Sequence, residues 1–154
     1  MKRFVLFAVA LTFAICLPRV GLSQNKVTRS ITNDAIEKIL QGLDLKYQKG
    51  ERKDKDNNVV YFDFQRGDSK VRLLNYGTDL WLESTTDKKV RLEEINRWNA
   101  EAKFSRLVLI EEKDKTVLSL ESQLDCLGGV TEAMIKQYIN RFDEDAKKFA
   151  KFVK

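Results

Sequence analysis

Three stretches of the chain carry residue types that can do chemistry. Asp54-x-Asp56-x-Asn58 opens like a calcium loop, in which side-chain oxygens at alternate positions surround a hard cation. Gly128-Gly129-Val130-Thr131 precedes a helical pattern, where free backbone N–H groups can hold an anion. Glu93-Glu94, Glu111-Glu112 and Asp143-Glu144-Asp145 supply paired carboxylates of the kind a glycosidase sets across a cleft.

Each weakens when its spacing is followed further. The sixth position of the calcium pattern needs glycine and is Val59; the twelfth needs a bidentate glutamate and is Gln65. The glycine pair is more simply a corner where the backbone takes positive φ before a helix. The acid pairs fall on polar faces or in turns. Histidine is absent from all 154 residues, so His-based triads and His-ligated metal sites are excluded. A Ser–Lys dyad survives on composition alone, with no serine in a nucleophile setting. The expectation is therefore no catalytic residue, no metal and no cofactor.

The net charge of +5 misleads until the N-terminus is set aside. Met1-Lys2-Arg3 is a basic start, Phe4 to Leu17 is an uncharged apolar run of 14 residues, and Pro18 breaks the helix it would form. Gly21 and Ser23 place small residues before a cut between Ser23 and Gln24, the pattern of a signal peptide over 1–23. An uncleaved anchor is the alternative, but the run is shorter than the ~20 residues a membrane-spanning helix needs. Lipidation at Cys16 is disfavoured by the large Ile15 before it. The expected location is the periplasm or the outside of the cell, with no transmembrane segment in the mature chain.

Removing Lys2, Arg3 and Arg19 leaves 25 basic against 23 acidic side chains. That balance offers no basic stripe for nucleic acid. The lysines near the C-terminus read as the wet face of a helix, with contact to an anionic envelope surface as the minor alternative. The mature part keeps one cysteine, Cys126, which cannot pair within the chain and reads as a small buried hydrophobe. An intermolecular disulfide is the alternative. About 130 residues without a Pro-, Gly- or Ser-rich divider make one domain, 31–154, behind a loose polar leader at 24–30.

The pattern of elements follows from periodicity. Ile31, Ala35, Ile36, Ile39 and Leu40 recur at helical spacing, with Thr32 or Asn33 as cap and Asp34 in the first turn, giving a helix over 33–42. Leu45 to Lys49 is a weak strand and Lys53 to Asn58 a solvated turn. Val59 to Gln65, Lys70 to Tyr76 and Asp79 to Ser84 are turn-separated strands of a meander. Leu92, Ile95, Trp98 and Ala102 mark a second helix near 91–101. Phe104 to Glu111 and Thr116 to Leu124 form a hairpin. Thr131 caps a long amphipathic helix with the stripe Met134, Ile135, Tyr138, Ile139, Phe142, Ala146, Phe149 and Val153. The fold class is α+β, in the order α–β-meander–α–β-hairpin–α, and not a parallel βαβ fold.

If Val60, Phe62 and Phe64 face the core, Val59 and Tyr61 face away. The same alternation sets Trp81 opposite Leu80 and Leu82, and Leu107 and Leu109 opposite Phe104, Val108 and Ile110. A second, partly apolar sheet face results. Either the middle helix covers it with Trp98, or Tyr61, Trp81, Leu107 and Leu109 form a partner or homodimer surface.

Ile95-Asn96-Arg97-Trp98-Asn99, then Lys103-Phe104-Ser105-Arg106, then Leu127-Gly128-Gly129-Val130-Thr131 and a long helix with Phe142 together resemble the YbjN-domain family over about 31–153. That bacterial family is described as sensory transduction regulators, with a fold similar to type III secretion chaperones. The resemblance implies a small, dimeric α+β domain that acts by protein contact, without catalysis. It makes Asn96, Trp98, Asn99, Gly128, Gly129 and Thr131 structural motif positions, with Asn99 bonding helix-end carbonyls and Trp98 packing on the sheet. The function expected is an exported, non-catalytic protein-interaction domain of sensory, regulatory or chaperone-like role, its partner unidentified. The alternative is a small-ligand sensor, or an enzyme in the cell envelope with an unmarked pocket between sheet and helices.

Overall fold

The computed structural model describes residues 26–54, 57–111 and 115–154; the signal-peptide reading, and the calcium pattern at Asp56, lie outside these residues. Helix α1 (Asn33–Gly42) starts where the Thr32 hydroxyl accepts the Ala35 N–H at 3.3 Å, and Asp34 sits favourably in its first turn. It buries Ile36, Ile39 and Leu40. Strands β1 (Tyr47–Asp54), β2 (Asn57–Arg66), β3 (Ser69–Asn75) and β4 (Asp79–Thr86) follow as an antiparallel meander. Gly67, at φ +56°, makes the tight turn between β2 and β3. Helix α2 (Leu92–Glu101) then leads to the hairpin of β5 (Arg106–Glu111) and β6 (Thr116–Asp125), and α3 (Glu132–Phe152) closes the chain.

The hairpin joins the meander through β6, so the sheet order is β1-β2-β3-β4-β6-β5, antiparallel throughout. This is the α+β architecture and element order that the periodicity implies. The strand at the front is longer than the expected Leu45–Lys49, because pairing with β2 carries the charged stretch Glu51 to Asp54 into the ladder.

The three helices of the described residues lie on one side of the sheet. Phe62, Leu73, Leu80, Leu82, Leu118 and Leu120 point to that side and share one core with Ile36 and Leu40 of α1, Ile95 of α2 and the stripe of α3. Helix α3 crosses β2, β3, β4 and β6. The Trp98 ring sits 5.4 Å from Phe152 and 6.4 Å from Phe149, both on α3. This corrects two expectations. Trp98 packs on the last helix rather than directly on the sheet, and α2 does not cover the second sheet face. Trp98 meets α3, while Ile95 enters the shared core on the helix side of the sheet and α2 runs beside β5.

Further corrections come from single side chains. Met134, expected in the buried stripe of α3, is 44 % exposed, because Ile135 and Tyr138 occupy the seam at that turn. The leader is tied to the domain: Thr28 and Val130 exchange two backbone hydrogen bonds of 2.8–2.9 Å. Cys126 is fully buried as a free thiol, and burial pushes its ionisation upward.

Candidate functional site: the open sheet face

The register of the sheet places side chains in rows across its helix-free side. One row runs Asp63 on β2, Arg72 on β3, Glu83 on β4, Glu121 on β6 and Arg106 on β5, each directly opposite the next. The neighbouring row runs Gly50, Tyr61, Leu74, Trp81 and Gln123. Leu74 is fully buried and Val59 nearly so, yet neither belongs to the core under the helices. Both point to the helix-free side, Leu74 between Tyr61 and Trp81 and Val59 opposite Arg52.

Arginines lie over the two aromatic rings of this face. The Arg72 guanidinium lies 4.1 Å from the Tyr61 ring centre and donates to both oxygens of Asp63, at 2.7 and 2.9 Å. The Arg106 guanidinium lies 5.4 Å from the Trp81 ring and pairs with Glu121 at 3.4 Å. A planar cation that stacks on a ring and forks to a carboxylate is the work arginine does better than lysine. Gly50 belongs to the same construction: a Cβ there would collide with the Tyr61 ring, so glycine lets the ring lie flat across β1.

The electrostatics of the row are uneven. Burial pushes the Asp63 carboxyl up, but the hydrogen bonds and charge of Arg72, with help from Lys70, outweigh it and hold Asp63 below the usual range. Glu83 moves the other way. Burial raises it most; Arg52 at 3.5 Å and Arg72 at 3.9 Å pull it back only in part, and Glu121 and Asp63 add to the rise.

Tyr61 and Trp81 therefore lie together on the open face, as their alternation implies. Leu107 and Leu109 do not. Leu107 pairs with Leu120, faces the helices and is 3 % exposed in the core; Leu109, opposite Leu118, points to the same side and is 43 % exposed. Val108 and Ile110 take the open side instead. Alternation could not set this phase, because four successive positions of β5 are apolar. The residues missed by sequence reasoning are Arg72, Arg106, Asp63, Glu83 and Glu121. One signal was available: the turn at Gly67 pairs Asp63 with Arg72 across its hairpin.

The motif positions are scattered. Asn99 accepts from the Leu107 N–H at 2.7 Å and donates to the Leu107 carbonyl at 3.0 Å, so it anchors the edge strand rather than helix-end carbonyls. Asn96 is exposed on α2. Thr131 caps α3 by accepting the Met134 N–H at 3.3 Å. Gly129 has φ +93°, but Gly128 has no positive φ, so one glycine makes the corner. The Gly129 and Val130 N–H groups are spent on the Cys126 and Thr28 carbonyls, which removes them from any anion cradle.

Among the described residues no group of three or more His, Cys, Asp or Glu could hold a metal ion, and no helix is long and apolar enough to cross a membrane. A cleft of about 350 Å³ between α1, α3 and the leader is lined by Ile31, Ala35, Ile39 and Ile135 among others. It holds no constellation of catalytic type.

Comparison with known proteins places this fold. A family model described as "YbjN: Putative bacterial sensory transduction regulator" matches residues 32–154. The chain belongs to the YbjN family. The chain is also similar to a solved structure titled "Crystal structure of YbjN, a putative transcription regulator from E. coli", with a TM-score of 0.62 and 11 % identity over 80 % of this chain and 90 % of that one. At that identity the likeness is one of fold. The search of curated proteins finds no match. The family is described as one of regulators, not of enzymes.

Proposed function

We propose that this protein is an exported, non-catalytic interaction domain that exerts a sensory or regulatory role through protein contact. On this reading the signal peptide is cut near Ser23–Gln24 and the domain works in the periplasm or outside the cell. The observation that carries the reading is the open face itself: Tyr61 and Trp81, stacked under Arg72 and Arg106, on a sheet side that no described helix packs against. Trp, Tyr and Arg are the residue types that dominate the energetics of protein interfaces. They are held rigid here by the clamps to Asp63 and Glu121, so little side-chain freedom remains to be lost on binding.

The test is capture of binding proteins from the native envelope fraction by the intact protein and by Trp81→Lys. Capture that Trp81→Lys abolishes and Leu92→Lys, on exposed α2, preserves is the expected result. Capture indifferent to Trp81, or none at all, would overturn the reading.

A second reading rests on the apolar cleft between α1 and α3, whose volume of about 350 Å³ suits a small ligand. A ligand bound there raises the melting temperature in a screen of envelope metabolites; a flat screen removes this reading.

A further inference from the structure

The cleft between α1 and α3 has an apolar floor and a charged mouth. On α1, Ala35 and Ile39 lie one position ahead of Ile36 and Leu40, which enter the core. Ile135 of α3 and Ile31, just before α1, complete the floor. The leader makes the third wall. It is held there by the Thr28–Val130 bridge and by the Ile31 N–H, which donates to the Gly77 carbonyl at 2.8 Å.

Most polar groups at the mouth are already engaged. The Thr28 hydroxyl donates to the Ser30 carbonyl at 2.6 Å, and the Thr32 hydroxyl accepts the Ala35 N–H. Three charged residues line the cleft: Lys26, Lys38 and Glu132. The Glu132 carboxylate is taken by Lys136 at 2.6 Å. Lys26 and Lys38 are exposed, and among the described residues neither has an ion-pair partner. Asp34, one turn before Lys38 on α1, makes no ion pair with it.

This arrangement says what the cleft would take. Resting on the small-ligand reading of the cleft, we propose that its ligand is an aliphatic anion. It is a single acyl chain of medium length whose carboxylate is held by Lys26 and Lys38.

The floor selects the body of such a ligand. Its side chains are aliphatic, so they reward an apolar chain and offer nothing to a polar one. The volume of about 350 Å³ lies at the small end of ligand cavities, which suits one short chain rather than a two-tailed lipid. The mouth selects the head. Two ammonium groups on flexible stems can both reach one carboxylate, and hydrogen bonds between ionised partners are the strong ones. A cationic head would meet two like charges, and a neutral head would leave both unanswered. Discrimination therefore comes from the head, and affinity from the chain.

Isothermal titration calorimetry of the purified protein tests this, with decanoate, decylamine and decanol each below its micelle concentration. The three share a tail and differ in charge. The expected result is saturable one-to-one binding of decanoate, with the other two weaker by about tenfold or more. Lys38→Glu, at an exposed side chain, should remove the preference for decanoate and improve decylamine. Ala35→Leu, which fills the floor, should block decanoate while unfolding stays cooperative. Trp81→Lys, on the open face, should leave binding unchanged. Equal binding of all three compounds overturns the anionic ligand but spares the cleft. Decanoate binding that survives both Lys38→Glu and Ala35→Leu, or that Trp81→Lys abolishes, lies elsewhere and overturns the proposal. No saturable binding of any of the three also overturns it; the small-ligand reading falls with it only if the metabolite screen is flat as well.

Discussion

Glu83 and Glu121 stand directly opposite each other across the β4–β6 ladder, both largely withdrawn from water on the helix-free side of the sheet. Like charges in facing positions of an antiparallel pair destabilise it. The pair persists because arginines flank it on both sides: Arg52 and Arg72 lean on Glu83, and Arg106 on Glu121. The open face is thus a balanced mesh of charge laid over an aromatic row.

The two carboxylates of this mesh with resolved shifts give opposite pH dependences. Glu83 is raised above its ordinary value of 4.5, so its favourable contribution is complete below that value and is lost as the pH climbs through the folded-state titration. Asp63 is lowered below 3.8, so its contribution is present above that value and disappears as the pH falls through the folded-state titration. Urea unfolding across a pH series checks both. Glu83→Gln should flatten the loss on the rising side, and Asp63→Asn should cost stability at neutral pH but not in strong acid.

Asn99 replaces a missing strand neighbour for β5. Its amide both donates to and accepts from Leu107, which would otherwise leave an edge-strand N–H and C=O open. Asn99→Ala should cost about 1–2 kcal/mol and speed amide exchange at Leu107. Exchange at Leu120, opposite it in the interior strand, should change far less.

Tyr138 carries the one hydroxyl of the α3 seam that reaches the sheet. It donates to the Ser122 carbonyl at 2.7 Å and lies 3.2 Å from the Leu80 carbonyl, and burial pushes its ionisation strongly upward. Tyr138→Phe should destabilise by about 1–3 kcal/mol, because the buried Ser122 carbonyl loses its donor. Chemical denaturation measures it, with no change expected in the mass of any complex.

Gly129 joins the leader to the domain. A Cβ there would approach the Val27 side chain to 2.6 Å, and the backbone is already at φ +93°. Gly129→Ala should cost about 1 kcal/mol or more and loosen the Thr28–Val130 bridge. Limited proteolysis ahead of Ile31 should become faster in the variant.

The local features of the fold were legible because they rest on local causes. Thr32, Asp34 and the Ile36–Ile39–Leu40 stripe define α1, and Thr131 with Ile135, Tyr138, Ile139 and Phe142 defines α3. The phase of β5 was not legible, since Leu107 to Ile110 are apolar on both faces and only the pairing with Leu118 and Leu120 decides between them. The charged row was invisible for a different reason. Its five residues come from five strands, and only the register brings Asp63 and Arg106 onto one line. The aromatic half of the face was readable, since Tyr61 and Trp81 sit within single strands of clear alternation.

The claim that the open face is where this protein meets its partner is tested most directly by hydroxyl-radical footprinting in the native envelope fraction, compared with the dilute purified protein. Tyr61 and Trp81 should be protected in the native fraction, while exposed Met134 on the helix side is labelled equally in both. Equal labelling of Trp81 in the two samples, or protection confined to Met134 and the helix side, would contradict it.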